Sequence, residues 1–127
     1  MYITIDENDR RALYQQIVDE IKALIAKAEL VEGSTLPPVR QVAADLGVNL
    51  NTIAFAYRQL QKEGLIEIRH GAGAKVVSRT LVSADEERPI GPLRAALAQL
   101  VLSGLSRDEI KALVADELSG LMKGQTR

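Results

Sequence analysis

Residues 36–76 read LPPVRQVAADLGVNLNTIAFAYRQLQKEGLIEIRHGAGAKV, and this stretch decides the fold. Pro37 and Pro38 cannot continue a helix from upstream but suit the start of one, where the missing N–H would be unpaired anyway. A short helix is therefore expected from Pro38 to Leu46, with Gly47 at the position where a left-handed residue closes a helix. Val48 fills the turn. Asn49 is a good N-cap for the next helix, which runs to about Glu63 with Ile53, Ala56, Tyr57 and Leu60 facing inward and Gly64 ending it. Leu65–Arg69 then alternates like a strand, His70-Gly71-Ala72-Gly73 turns, and Ala74–Val77 returns. A helix, a tight turn, a helix and a β-hairpin follow one another in the order of a winged helix-turn-helix, a fold whose second helix enters the DNA major groove.

Upstream, Leu13, Ile17, Ile21, Leu24 and Ile25 recur at three- and four-residue spacing, widened by Tyr14 and Val18. That stripe predicts an amphipathic helix over 10–30, ending before Gly33. Residues 1–9 are expected to be extended or loose. Downstream, 79–89 is polar and charged and reads as a connector, and a second unit starts at Pro92. Leu93, Leu97, Leu100 and Val101 form one helical stripe that stops at Gly104. Ser106 with Glu109 three residues on is a capping box, and Ile110, Leu113, Val114, Leu118 and Leu121 form a second stripe. The expected architecture is thus mainly α with a small β-hairpin wing. It divides into a winged helix-turn-helix over 1–78, a linker over 79–91 and a C-terminal helical hairpin over 92–127.

The chain has 127 residues and a formal net charge of −1, which at first argues against a nucleic-acid partner. Its distribution argues the other way. Residues 36–79 carry six basic and three acidic side chains, whereas 1–35 carry four and seven, and 80–127 six and seven. The basic surplus falls on the candidate reader, and the local patch is what attracts phosphate. With no cysteine there are no disulfides or thiolate metal sites, as suits a reducing cytoplasmic location. One histidine and no cysteine give no nucleophile–base pair for an enzyme and no metal-ligand spacing. Asp85-Glu86-Glu87 lacks calcium-loop spacing, and no helix follows Gly71-Ala72-Gly73 as a nucleotide loop would need. No cofactor is expected. No apolar run is long enough to span a membrane, and the acidic N-terminus is not a signal peptide.

The segment resembles the winged-helix domain of the GntR family of bacterial transcription regulators. The shared pattern is Leu36-Pro37, Arg40, Ala43, Leu46-Gly47-Val48, Thr52-Ile53, Ala56-Tyr57, Leu60, Gly64-Leu65-Ile66, Gly71 and Gly73, preceded by Leu13-Tyr14-Gln16-Ile17. The short tail, whose second helix starts at Gly104-Leu105-Ser106, resembles the YtrA subfamily. That resemblance implies a homodimer built largely by the tail helices and a repressor role, often near ABC-transporter genes. Three positions depart from the pattern. Pro38 stands where relatives cap the short helix with serine. Phe55 stands where they are commonly basic or polar. Ala74 replaces a frequent threonine.

The residues expected to meet double-stranded DNA are Arg40, Asn49, Asn51, Thr52, Tyr57, Arg58, Arg69, His70, Gly71 and Lys75. The resemblance implies DNA contact for Arg40, whose bland alternative is an ion pair with Asp45 or Glu67. Asn49, Asn51 and Thr52 occupy the first turn of the second helix, where short polar side chains and free amides meet bases and phosphates. They can also simply cap the helix. Tyr57 reads as half core with its hydroxyl toward the DNA backbone, and Arg58 as a phosphate partner or a solvated cation. Arg69 or His70 can enter a narrow minor groove from the wing tip, with Gly71 permitting the close turn, and Lys75 suits the backbone. For dimerisation the candidates are Leu93, Leu97, Leu100, Leu113, Val114, Leu118 and Leu121, since a two-helix hairpin cannot bury both of its stripes alone. The expected function is a sequence-specific transcription regulator, a repressor on a pseudo-palindromic operator. The alternative is a winged-helix protein-interaction module. Regulation could run through a small-molecule effector bound between tail and winged helix, or through expression level alone.

Overall fold

The computed structural model describes residues 1–70, 73–82 and 88–124. Its elements in chain order are α1 (Leu13–Ala26), β1 (Thr35–Leu36), α2 (Val39–Leu46), α3 (Leu50–Lys62), β2 (Ile66–Ile68), β3 (Ala74–Val76), α4 (Ile90–Leu102) and α5 (Arg107–Leu121), closed by a 3-10 turn at Met122–Gly124.

The predicted stripes of α1 and α3 become the core. Ile17 and Ile21 of α1, and Ile53 and Leu60 of α3, are completely buried. α3 packs against both α1 and α2, so it is the central strut. Asn49 caps α3 as expected, its side-chain oxygen accepting from the Asn51 amide at 2.7 Å. Pro38 stands at the N-cap of α2 with no side-chain cap, and Gly47 takes φ 68° at the other end. The three strands form one antiparallel sheet in the order β1-β3-β2, with Leu36 opposite Ala74 and Ile66 opposite Val76.

Several expectations are corrected. Strand β1 went unseen, because two residues carry no period. α1 ends before Gly33, as expected, but is shorter than the predicted 10–30 span. It ends at Ala26, where Ala28 adopts φ 63° and the amides of Ala28 and Glu29 bond the carbonyls of Ile25 and Leu24. That is a Schellman closure with alanine at the position that favours glycine. The N-terminal segment is not loose throughout. Ile3 reaches the core, and the Asp6 amide donates to Gln16 Oε1 at 3.2 Å. The second unit begins at Ile90, two residues before Pro92, which sits harmlessly in the first turn of α4. Asp85-Glu86-Glu87 lies outside the described residues.

α4 and α5 contain no buried residue. Gly104 turns between them at φ 89°, and Ser106 and Glu109 form the expected reciprocal box. The backbone and hydroxyl of Ser106 hold the Glu109 carboxyl below its ordinary range. Among the described helices none is long and apolar enough to cross a membrane.

Candidate nucleic-acid interface

The burial of Ile53, Ala56, Tyr57 and Leu60 fixes how α3 is turned. At 3.6 residues per turn, the opposite face carries Asn51, Phe55, Arg58 and Lys62. All four are exposed. Thr52 lies beside this ridge, half-buried, and lines a shallow apolar groove with Leu13, Tyr14, Asn51 and Phe55. Leu50 remains 39% exposed at the start of the helix.

A second group assembles around the wing. Arg40, Arg69 and His70 line one cleft between the start of α2 and the hairpin, against Val39, Tyr57 and Ile68. Gly73 makes this approach possible. A Cβ there would collide with the Leu36 carbonyl oxygen and crowd Pro37 and Pro38, and its φ of 76° suits glycine alone. The wing base therefore sits directly on the strand that leads into α2. Arg40 is exposed and has no described carboxylate within 4.0 Å, so the alternative of pairing with Asp45 or Glu67 is not what the structure contains. Glu67 instead faces Arg69 at 3.6 Å, both well exposed, a weak pair that phosphate could displace.

Other candidates are placed differently. Tyr57 is 1% exposed, and its hydroxyl donates to the Pro37 carbonyl at 2.7 Å. The expectation of a hydroxyl facing DNA is corrected. The side chain is an inward strut, and burial pushes its phenol well above the ordinary tyrosine range. Asn49 is engaged as a cap, as its bland alternative held. Arg58 lies over the Phe55 ring, 6.0 Å from its centroid. Lys75 points off the core face of β3, opposite Thr35 and Glu67, and lies apart from the wing cleft. Gly71 lies outside the described residues. Arg79, counted in the basic surplus, turns away. Its Nε and Nη2 donate to the carbonyls of Ile25 and Ala26, at 3.2 and 3.0 Å, and so close the C-terminal end of α1.

Sequence reasoning overlooked the aromatic pair of Tyr14 and Phe55, whose ring centroids are 4.7 Å apart at an interplanar angle of 77°. The unusual aromatic at position 55 was the available signal, but its partner lies 41 residues away. Among the described residues there is no acidic, histidine or cysteine cluster fit for a metal ion.

Residues 13–76 match the family described as bacterial regulatory proteins, gntR family. The chain is 29% identical over 126 residues to the HTH-type transcriptional repressor YtrA of Bacillus subtilis (strain 168), covering 96% of this chain and 95% of that one. Among solved structures, a transcriptional antiterminator from Listeria monocytogenes EGD-e aligns at TM-score 0.75 and 27% identity, covering 100% of this chain and 97% of that one. YtrA from Sulfolobus acidocaldarius, a GntR-family transcription factor, aligns at TM-score 0.57 and 35% identity, covering 79% and 97%.

Proposed function

We propose that this chain, which belongs to the GntR family of bacterial regulatory proteins, is a DNA-binding transcriptional repressor that works in the cytoplasm as a homodimer on a pseudo-palindromic operator. The family is one of transcription regulators, not enzymes. The observation that carries this reading is the convergence of Arg40, Arg69 and His70 on one cleft beside the wing. With the polar first turn of α3, they supply a phosphate-seeking cluster and a groove-sized helix. Asn51 and Thr52 take the base-edge role, and Arg58 and Lys75 the backbone.

Residues 1–78 form the reading body, and the helices from Ile90 onward form the pairing tail. One such body makes few contacts, so a monomer would bind weakly at physiological salt and two linked bodies would bind well. The tail supports pairing. Leu93, Val101, Leu113, Val114 and Leu118 are between 41% and 58% exposed, whereas Leu97, Leu100 and Leu121 are half-buried. An effector site between tail and body would regulate such an assembly.

The test is a fluorescence-anisotropy titration of the full chain against duplexes from its own promoter region, with scrambled competitor, over a salt series. Tight binding that survives competitor at two chains per site is the expected result. Arg40→Ala should weaken it by about 1–3 kcal/mol and flatten the salt slope by about one. Because Arg40 is exposed, the fold should survive. An Arg40→Ala protein with full affinity, or equal weak binding to every sequence, would favour the protein-interaction alternative.

A further inference from the structure

We infer that Phe55 is a specificity-determining residue, which reads the 5-methyl group of a thymine in the major groove, and that Tyr14 is the positioning residue that holds its ring. The inference rests on the DNA-binding reading above.

Phe55 sits in the middle of the outward ridge of α3, between Asn51 one turn before it and Arg58 one turn after. A side chain there cannot avoid the groove floor if the helix docks by this ridge. Yet Phe55 is a phenylalanine, 46% exposed. An aromatic ring offers no hydrogen bond to a base edge. The one apolar feature in the major groove is the thymine methyl. The ring is also not free to turn aside. Tyr14 of α1 meets it edge to face at 4.7 Å, and the Arg58 guanidinium lies above it at 6.0 Å. Leu13, Tyr14 and Phe55 line a groove whose exposed surface is mostly apolar, with Asn51 and Thr52 at its polar edge. A methyl group fits the apolar floor. The neighbouring adenine edge suits Asn51, so one A·T pair could satisfy both side chains.

The experiment selects the preferred duplex from a randomised DNA library with the full chain, then replaces each thymine singly by deoxyuridine. This substitution removes only the methyl group. For the wild type, at least one thymine per half-site should lose about fourfold in affinity, the value of burying one methyl. Phe55→Ala should bind the thymine and deoxyuridine duplexes equally. Tyr14→Ala should narrow the ratio between them, a change that a purely structural loss would not produce. Wild-type affinity unchanged at every deoxyuridine position, with selective binding retained, would overturn the inference and leave the ring against sugar and phosphate. A library that enriches no sequence would overturn the DNA-binding reading itself, and this inference with it.

Discussion

α3 and α4 are both helices of 13 residues, and they have opposite fates. α3 carries four apolar side chains to 1% exposure or less, although half of its surface is polar. α4, IGPLRAALAQLVL, is the more apolar of the two and buries none. Burial here follows what surrounds a helix, not how greasy it is. α3 is enclosed by α1, α2 and the sheet. α4 meets α5 and little else. One face of α4, lined by Ile90, Leu93, Leu97, Ala98 and Val101 with Arg94 at its edge, is a mostly apolar trough open to solvent. The winged body thus carries its own core, and the tail has the raw material for a core that a second chain would complete.

That contrast can be broken by mutation. Ile53→Ala should cost about 3 kcal/mol of folding stability, because a fully enclosed site cannot collapse around the void. A chemical denaturation midpoint would measure it, and the loss should not depend on protein concentration. Leu97→Asp with Leu118→Asp should leave the body folded but convert a sedimenting dimer to monomer at tens of micromolar. If that pair unfolds the body instead, or leaves the sedimentation unchanged, the division between self-sufficient body and dependent tail is wrong.

Two smaller effects sharpen the description of the body. Tyr57→Phe should cost about 1 kcal/mol through the unpaired Pro37 carbonyl, with DNA affinity unaffected. It should also blunt alkaline unfolding. Burial raises the folded phenol above its usual value of 10.0, so Tyr57 contributes stability fully below pH 10 that is lost as pH rises beyond it. A stability–pH curve of the two proteins, read above pH 9, would check the sign. Ala28→Gly should stabilise the protein by about 0.5–1 kcal/mol, since φ 63° penalises a Cβ. Thermal unfolding would show a higher midpoint.

Much of this was legible in the chain because local rules and tertiary packing agree. Gly47, Asn49, Gly64, Gly104 and the Ser106–Glu109 box each sit where punctuation belongs, and the stripe in α3 faces the core it predicts. What escaped was non-local. β1 exists only because β3 pairs with it. Ile3 finds the core through a fold that brings residue 3 beside Val42 and Leu46 of α2. For Tyr57 the helical position was correct, but its hydroxyl partner, the Pro37 carbonyl, lies 20 residues back and cannot be inferred from spacing. Arg79 counted as a cation for DNA until the carbonyls of α1, 53 and 54 residues earlier, claimed it. Charge tallies give the number of cations, not their direction.

Arg79 has a mechanical consequence. It fastens the outgoing chain to the end of α1, and the Val82 amide then bonds the Glu63 carbonyl at 3.1 Å. Val82 and Ile90 are eight steps apart along the chain, so they can lie at most roughly 26–29 Å from one another. Were two chains paired through their tails, as proposed above, that ceiling would limit how far each reading body can stand from its own α4, and so the half-site separations the pair could share, independently of any base they touch.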